Sequence, residues 1–579
     1  MRISRSWMAR EAAICPLRTF KKESAMGSQV RVTLDGATAV FDSGVTLIKV
    51  YETLCPAKKD KALAALYGGL CVELSQPINI DCELTTITYQ EEEGRRIYER
   101  SLRFLLLLAM RRLYPGKQIR ILNSIGYGVY LRVLGGDMDH AMVRALEAEM
   151  RTLAEANLPF EKESWSRGEA IAYFEREGCP DKAEILRYRP HDTITMYRIG
   201  DMREYFYGAM LPSTGYVKVF ALKPHFPGMV MQYPSPSDPS VPAPYLPRPK
   251  HLRVFTQSQE WCRILGAVNV ADVNHMIEQG RMRDFIRVNE ALQDKSIAHI
   301  ADEILDRKAR IVMIFGPSSS GKTTFAHRLA VHLRVLGQNP KLISLDDFYR
   351  DRREIVPGPD GKLDLENISA LDVPFLTDCL ERLLSGQEVQ MPSFDFTTGK
   401  RACQSQPMSL RRDEPLLLEG IHGLNDMITS EIPEQLMYGV YVSALPCINL
   451  DHHNRIRTTD VRLLRRIVRD VRFRNTTPEQ TIDVWPSVRE GEEKWIFPNQ
   501  EKADIMFNTS LHYELPVLKT YAYDLLLRIP RTDPRYLTAR RLLKFLHYVL
   551  PVDERVISEI PPMSILREFI GECSFYDRH

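Results

Sequence analysis

Apolar and polar residues alternate along the first part of the chain. The alternation covers 30–34, 39–41 and 46–51, the last leading into a helix, and it returns near 70–74 and 85–88. Side chains two residues apart lie on one face of a strand, so this pattern predicts strands with one buried face. A small mixed β-sheet crossed by one helix is the simplest structure that accounts for it.

The following part changes from alternation to helical spacing. A buried helix is expected at 101–113, and an α+β region runs on to about 233. Prolines recur through 233–249, which predicts a linker or an extended strap because proline lacks a backbone donor and stiffens the chain. Residues 271–308 predict one or two amphipathic helices with a break near Gly280, and apolar residues at helical spacing in 515–527, 537–550 and 560–570 predict a helical tail.

A glycine-rich motif interrupts this pattern after the apolar run 311–315. It reads Gly316-Pro-Ser-Ser-Ser-Gly321-Lys322-Thr323 and is followed by a helical pattern. The G-x-x-x-x-G-K-S/T spacing points backbone N–H groups inward at the start of a helix, where they bind phosphate. An ordinary glycine turn between a strand and a helix is the alternative.

This motif makes ATP and Mg²⁺ the expected cofactors. Lys322 is expected to contact the β- and γ-phosphates, and the Thr323 hydroxyl is expected to bind Mg²⁺. The residues expected to bind the nucleotide are Gly316, Ser318, Ser319, Ser320, Gly321, Lys322, Thr323 and Thr324.

Composition bears on which partners and which cellular compartment suit this chain. The 579 residues are 44% hydrophobic and 26% charged with a net charge of +2, so charge gives no support for nucleic-acid binding, which stays open. The ten cysteines are scattered without a C-x-x-C pair, which favours reduced thiols in a reducing compartment. The apolar run 104–110 is far shorter than the ~20 residues that cross a bilayer. We therefore expect a soluble, cytoplasmic protein with a small-molecule substrate and no membrane partner; whether it forms a homo-oligomer stays open.

The basic segment 1–29 is the exception in this composition. It is rich in arginine and lysine, and Met26 offers a second start. A disordered basic extension and an organelle-targeting peptide both have this character, so both stay open.

Two segments of the N-terminal part resemble threonyl-tRNA synthetases. The sequences Tyr-Arg-Ile-Gly-Asp at 197–201 and Tyr-Gly-Ala-Met-Leu-Pro-Ser-Thr-Gly at 207–215 carry the likeness to their editing domain, and residues 30–90 resemble their TGS domain, a β-grasp module. In that family the editing site has H-x-x-x-H and C-x-x-x-H, positions held here by Arg100, Phe104, Phe206 and Met210. We therefore expect no editing activity. Binding of nucleotide, aminoacyl or RNA-like ligands stays open beside a purely structural role.

The region 309–512 resembles the uridine kinase and phosphoribulokinase family. Separated motifs occur in that family's order at 316–323, 341–349, 365–372, 392–401, 415–421 and 460–474, and a synthetase-like front before a kinase resembles a known architecture of uridine-kinase-like proteins. The resemblance implies an α/β P-loop NTPase fold, a parallel sheet with helices on both faces. The expected organisation is a basic extension (1–29), a TGS-like domain (30–90), an α+β editing-like domain (91–232), a linker and helical connector (233–308), the kinase-like domain (309–512) and the helical tail (513–579).

The resemblance assigns roles to acidic residues at strand ends. Asp346 would orient and deprotonate the acceptor hydroxyl and also contact Mg²⁺, although a helix N-cap is its alternative reading. Glu419 would contact Mg²⁺ through water. Tyr349, Glu366, Phe394 and Arg401, together with Asp346, would contact the substrate. Phe394, Gly399 and Thr476 stand where the family usually has Tyr, His and Arg, so recognition of uracil is doubtful.

An arginine-rich helix at 460–474 would close over the phosphates. Arg466, Arg469 and Arg474 match the family's clamp, with Arg474 on the nucleotide and Lys322, Asp346, Arg466 and Arg469 as the expected catalytic set. Arg462 and Arg472 are expected on a solvated face whose acidic partners are Asp460 and Asp470. Asp451-His452-His453 is expected to be a loop rather than a metal site, and His422 a packed turn residue.

These expectations lead to one function and one rival. The function is an ATP- and Mg²⁺-dependent kinase that transfers the γ-phosphate to a sugar hydroxyl of a nucleoside or a related ribose-type acceptor. The rival is a nucleotide-sensing, RNA- or tRNA-binding regulatory protein, which would not need both a catalytic base and a lid. An aminoacyl-tRNA hydrolase is disfavoured by the four replaced editing positions.

Overall fold

The computed structural model describes residues 28–355, 364–395, 398–401, 406–430, 432–446 and 448–575. The expectations for the basic segment up to residue 27 therefore lie outside the described residues. None of the helices within these ranges is long and apolar enough to cross a bilayer.

The first region is a five-stranded mixed sheet packed against one helix. Its strands are β1 Gln29–Leu34, β2 Ala37–Asp42, β4 Ala64–Tyr67, β5 Leu70–Glu73 and β7 Cys82–Ile87, in the order β2-β1-β7-β4-β5. Strand β1 runs parallel to β7 and antiparallel to β2. A short pair, β3 Val45–Thr46 with β6 Pro77–Ile78, flanks helix α1 Leu47–Leu54.

The predicted mixed sheet with one helix is confirmed, but two details differ. Residues 47–51 belong to helix α1 rather than to a strand, because Leu47, Val50 and Tyr51 pack one helical face into the sheet. Strand β4 was not predicted, because Ala64 and Ala65 are both buried and the segment shows no alternation.

The second region contains two antiparallel sheets and four helices. Strands β8 Ile119–Ser124, β9 Gly128–Val133, β13 Ala221–His225 and β14 Gly228–Gln232 form one sheet; β10 Glu161–Ser166, β11 Thr193–Ile199 and β12 Met202–Glu204 form the other. The helices are α2 Glu92–Leu113, α3 His140–Glu155, α4 Arg167–Arg176 and α5 Pro180–Arg187. Helix α2 begins well before the expected residue 101: its first turn is charged and hides the start, although Ile97 and Tyr98 in the second turn are already buried.

The connector to the third region is partly helical. Helices α6 Pro249–Leu265, α7 Val270–Glu278 and α8 Met282–Asp306 follow the proline-rich stretch, and the predicted break near Gly280 separates α7 from α8.

The third region is built on a five-stranded parallel sheet. Strands β15 Ile311–Phe315, β16 Lys341–Ser344, β21 Leu416–Gly420, β22 Met437–Ser443 and β23 Ile505–Asn508 lie in the order β16-β21-β15-β22-β23. Strands β15 and β21 are buried throughout, as expected of parallel strands covered on both faces. Two small two-stranded antiparallel sheets accompany the main sheet: β17 Val389–Met391 with β20 Gln406–Met408, and between them in the chain β18 Phe394–Asp395 with β19 Lys400–Arg401.

Helices surround this sheet and continue into the tail. They are α9 Lys322–Val335, α10 Val373–Leu384, α11 Asp426–Thr429, α12 Thr458–Phe473, α13 Pro478–Gly491, α14 Glu514–Leu527, α15 Tyr536–Leu546, α16 Glu554–Ile557 and α17 Arg567–Ile570. The prediction for 560–570 is wrong: only its last four residues form a helix, although Ile565, Leu566, Phe569 and Ile570 are all buried.

A buried loop joins the second region to the third. Lys182 Nζ contacts Glu204 Oε1 at 2.7 Å and Asp451 Oδ1 at 3.2 Å, and His452 N donates to Asp181 Oδ2 at 2.7 Å. The segment 451–453 is thus a loop, as predicted, and it anchors the two regions to each other. Among the described residues there is no group of three or more side chains of the kinds that hold a metal ion.

Candidate active site

The glycine-rich loop follows β15 and leads directly into α9. A Cβ added at Gly316 would lie 1.9 Å from the Val442 carbonyl oxygen, and one at Gly321 would lie 2.5 Å from Ile565 Cγ2. Gly321 also has a φ of +87°, which disfavours other residues. Both glycines of the motif are therefore required by close neighbours, and Lys322 Nζ turns back to contact the Pro317 carbonyl oxygen at 3.2 Å.

Parallel pairing brings the predicted metal-binding residues together. Ser344 and Glu419 are register partners at the ends of β16 and β21, and Ser344 Oγ donates to Glu419 Oε1 at 3.0 Å. Thr323 Oγ1 donates to the same oxygen at 3.3 Å. Hydroxyl and carboxylate oxygens are the ligands that Mg²⁺ prefers, so this donor set fits the ion.

Asp346 lies next to this cluster on the 3-10 turn Leu345–Phe348, which follows β16. The Ser344 side chain caps that turn by accepting from Asp346 N, so Asp346 is not the cap residue. Burial raises the pKa of Asp346, while Lys322, Arg474 and Arg469 oppose the rise. Burial and the neighbouring Asp346 raise the pKa of Glu419 to about 7. Two enclosed carboxylates this close favour a bound cation or a shared proton.

The predicted substrate residues form a wall near Asp346. The rings of Tyr349 and Phe394 are 5.6 Å apart, and Tyr349 Oη donates to the Leu365 carbonyl oxygen at 2.9 Å. Burial, followed by repulsion from Glu492, raises the pKa of Glu366 to about 7. Arg401 contacts Asp372 at 2.8 Å and the Tyr349 carbonyl oxygen at 3.2 Å, so it braces this wall.

The lid arginines share one carboxylate. Asp470 contacts Arg469 at 2.8 Å, Arg466 at 3.3 Å and Arg474 at 3.8 Å. Arg466 Nη1 also donates to Ser318 Oγ at 3.0 Å, which places the lid helix α12 against the glycine-rich loop. Of the expected clamp residues, Arg466 therefore lies against the loop, and Arg469 and Arg474 are joined to it through Asp470.

Two expectations for this helix need correction. Arg462 is not solvated: its side chain is 1% exposed, it forms a bidentate pair with Glu492, and its Nη1 donates to the Ser318 carbonyl oxygen at 2.9 Å. Asp460 pairs with Arg96 and Arg541, at 2.9 and 3.3 Å, rather than with lid arginines. Residues far away in sequence supply these partners, so helical spacing could not reveal them. Arg472 is exposed, as predicted.

Two glutamates outside every motif contact the loop. Glu492 Oε1 accepts from Ser318 N at 3.1 Å, and Glu568 Oε2 accepts from Thr324 N at 3.3 Å and from Thr324 Oγ1 at 2.9 Å. Both N–H groups belong to the segment that was predicted to bind phosphate. No sequence signal marked these glutamates, because one lies on the irregular helical turn Glu492–Ile496 and the other in the tail.

His422 and the former editing positions are packed as expected from their residue types. His422 is buried beside Trp495, and burial lowers its pKa to about 4. The rings of Phe104 and Phe206 lie 5.7 Å apart, and Met210 is 1% exposed. Arg100 donates to the Ala209 carbonyl oxygen. The four replaced positions thus form an apolar cluster with one guanidinium at its edge.

Comparison with known proteins separates the same two parts of the chain. Residues 311–514 match the family model of the Phosphoribulokinase / Uridine kinase family. The N-terminal region matches threonine–tRNA ligases. The ligase of Nitrosomonas eutropha is 34% identical over 195 residues, which are 32% of this chain and 30% of that protein. The ligase of Methylococcus capsulatus is 35% identical over 199 residues, 33% of this chain and 30% of that protein. The match thus spans less than a third of these relatives.

Solved structures similar to this chain include a protein described as a candidate fructose transport system kinase from Silicibacter sp. TM1040. It is 17% identical with a TM-score of 0.28, covering 36% of this chain and 98% of that one. A candidate uridine kinase from Bacillus stearothermophilus is 19% identical with a TM-score of 0.26, covering 37% and 97%. The predicted resemblances, kinase-like at the C-terminal side and synthetase-like at the N-terminal side, are confirmed by the family and relative matches.

Proposed function

We propose that this protein, whose residues 311–514 match the phosphoribulokinase and uridine kinase family, transfers the γ-phosphate of ATP to a sugar hydroxyl of a small molecule. The observation that carries the proposal is the convergence of Lys322, Thr323, Asp346 and Glu419 at one edge of the parallel sheet. Ligands of such sheets bind at the carboxyl ends of the strands. A nucleoside or a related ribose-type compound is the proposed acceptor.

ATP bound at the glycine-rich loop would supply the phosphoryl group, and Mg²⁺ held near Thr323 and Glu419 would neutralise its oxygens. The Asp346 carboxylate takes the proton of the acceptor hydroxyl as that oxygen attacks. Lys322, Arg466 and Arg469 stabilise the negative charge of the transferring group. Burial raises the pKa of Asp346 although Lys322, Arg474 and Arg469 oppose the rise, and a raised pKa favours its role as a base.

The acceptor wall supports a hydroxyl-bearing ligand more than a pyrimidine. Glu366, with a pKa of about 7, can donate or accept hydrogen bonds to vicinal hydroxyls near neutral pH. Phe394 offers an apolar ring, and Gly399 offers no side-chain group at all. A pocket that makes no hydrogen bonds to a base cannot strongly select one base over another.

ADP release tests this proposal across a panel of nucleosides, sugars and sugar alcohols. We expect one group of ribose-type acceptors to raise ADP release well above the acceptor-free rate, and Lys322→Ala to abolish the increase. Absence of acceptor-dependent release in the folded protein, with every member of the panel, contradicts the kinase proposal.

A second candidate function is nucleotide sensing by an RNA- or tRNA-binding regulatory protein. It is favoured by Glu492 and Glu568, whose carboxylates accept from loop N–H groups and compete with a phosphate for them. Saturable ATP binding without turnover on any acceptor, together with binding of tRNA that changes with bound nucleotide, distinguishes this candidate from the first.

A further inference from the structure

A large cavity lies outside the candidate active site, between the synthetase-like regions, the anchoring loop and the tail. Its volume is about 870 Å³, within the range of small-molecule sites. Strand β5, helix α2, strands β10 and β11, the segments 205–209 and 450–457, and helix α15 supply its walls. We call it the basic cavity.

Cations outnumber acids on its walls. Ten arginines and lysines line the cavity against five aspartates and glutamates. Each of the five acids is already engaged: Asp460 holds Arg96 and Arg541, Glu73 holds Lys162 at 2.9 Å, and Glu93 lies 3.7 Å from Arg100. Glu161 and Glu163 pair with Arg198 and Arg203, which lie outside the lining. Glu99 behind the wall is shared by Arg103, Arg455 and Arg457. The enclosed volume therefore carries uncompensated positive charge.

Two cations have no partner in the part of the chain that the structure describes. Arg540 and Lys544 lie one turn apart on α15, and neither forms a hydrogen bond or ion pair there. Burial, followed by repulsion from Arg540, lowers the pKa of Lys544 to about 7. Burial also lowers the pKa of Arg540. Arg540 and Lys544 are half-buried, and a cation withdrawn from water is costly unless it is paired, so this face of α15 suits an anion.

The position of the former editing residues adds to this picture. Arg100 and Phe206 line the cavity, and the Arg100 guanidinium lies within 2.7 Å of where a Cβ on Gly208 would be. Two positions that align with the editing motif of the similar family thus provide a cation and an apolar ring in this chain. Tyr205, Tyr207 and Phe545 extend the apolar wall.

We propose that the basic cavity binds a phosphorylated small molecule, with its phosphate on Arg540, Lys544 and Arg100 and its apolar part against the aromatic wall. A phosphate suits these side chains because a compact dianion with three acceptor oxygens can bind a guanidinium and an ammonium at once. This site is separate from the glycine-rich loop, and its test measures binding rather than turnover.

The test uses the full chain carrying Lys322→Ala, so that phosphate binding at the loop is weakened. Isothermal titration with pyrophosphate and with AMP, with adenosine as the uncharged comparison, measures binding to the cavity. We expect the phosphates to bind and adenosine not to, and Arg540→Gln with Lys544→Met to weaken phosphate binding by about 10- to 100-fold. The matched control is Arg528→Gln with Lys295→Gln, two exposed cations outside the cavity, with affinity unchanged.

A thermal melt without ligand shows whether the cavity variants and the control variants are folded. Removing two unpaired, half-buried cations is expected to leave the melting temperature unchanged or raise it, so lost binding cannot be attributed to unfolding. If the paired variant does not fold, Lys544→Gln alone is titrated, with at least a fivefold loss expected. Equal affinity in the cavity and control variants, or binding only of an RNA 3′ end and of no small phosphate, overturns the proposal.

Discussion

The glycine-rich loop and the basic cavity differ in what each has kept. The loop retains every motif residue, yet two of its N–H groups donate to Glu492 and Glu568. The basic cavity contains no residue of an editing motif at Arg100 and Phe206, two of the four aligned positions, yet it has a volume of about 870 Å³ and two cations without partners among the described residues. A sequence motif shows that the backbone of a segment can bind a ligand. Whether the site is open to that ligand depends on residues elsewhere in the chain.

The glycine-rich loop and the basic cavity also differ in how their charges are paired. At the loop, charges are balanced by protein groups: Asp470 holds three lid arginines, and Glu492 holds Arg462. In the basic cavity, Arg540 and Lys544 have no protein partner among the described residues. A ligand at the loop must replace existing contacts, while a ligand in the cavity adds new ones. Removal of a competing carboxylate at the loop is therefore expected to tighten ligand binding, whereas removal of an unpaired cation in the cavity is expected to weaken it.

The largest effect is expected from Lys322→Ala. Among the described residues the lysine hydrogen-bonds to the Pro317 carbonyl oxygen, so its removal is expected to leave the fold intact while withdrawing a charge from the phosphate site. Turnover of ATP is expected to fall by about 10²- to 10³-fold or more. ADP release measures it, with the exposed Lys295→Ala as the control. A folded Lys322→Ala protein with wild-type turnover would show that the loop does not bind ATP productively.

Asp346→Asn is expected to separate binding from catalysis. The amide keeps the shape but cannot take a proton, so phosphoryl transfer falls by about 10²-fold or more with near-normal ATP affinity. Glu419→Gln is expected to raise the Mg²⁺ concentration needed for half-maximal rate instead. Kinetics with ATP, Mg²⁺ and acceptor varied separately distinguish the two. Wild-type transfer by Asp346→Asn places the base elsewhere.

A smaller, pH-dependent effect is expected in the basic cavity. Lys544 faces Arg540, Arg100, Glu93 and Cys71, and with a pKa of about 7 it is charged below pH 7 and neutral above. Affinity for sulfate, whose charge is constant in this range, is therefore expected to fall by up to about tenfold from pH 6 to pH 8.5. Titration in the Lys322→Ala chain measures it. The dependence is expected to vanish in Lys544→Met; a dependence that persists there belongs to another group.

The smallest effect is expected from Glu568→Gln. A carboxylate at the start of α9 competes with phosphate for the helix N-terminus, so its neutralisation is expected to tighten ATP binding about two- to fivefold. Glu572→Gln, on an exposed tail carboxylate, is the control. Equilibrium binding of ATP measures both variants. Weaker binding in Glu568→Gln alone would mean that this glutamate supports the site rather than competing with its ligand.

The sequence predicts the parts of this molecule that local patterns encode. The bounds of β15 and the loop after it follow from an apolar run and fixed glycine spacing, and the break between α7 and α8 follows from periodicity. Helix spacing also groups the lid arginines on shared faces. These features depend on neighbours in sequence, which a single chain displays directly.

The remainder depends on residues distant in the chain. Burial of Arg462 requires Glu492, and the contact at Thr324 requires Glu568, which lies in the tail. The basic cavity joins Arg100 of α2 to Lys544 of α15. None of these pairs can be found from periodicity, because the spacing of residues within one helix carries no information about a contact with a residue far away in the sequence. Periodicity also misleads in the tail segment 560–570. Its apolar residues have helical spacing and are buried, but most of the segment has an irregular backbone.

The clamp on Asp460 makes the lid helix part of the frame of the molecule. Arg96 and Arg541 hold the first turn of α12 to the synthetase-like region and to the tail. Arg462 and Arg465 hold its middle to Glu492 and Glu514, and both side chains are fully buried. At about 1.5 Å per residue, Arg474 lies roughly 21 Å beyond Asp460, and its side chain is 52% exposed. Arg474 is therefore the clamp residue with the most room to follow a bound nucleotide, while Arg466 stays close to the loop.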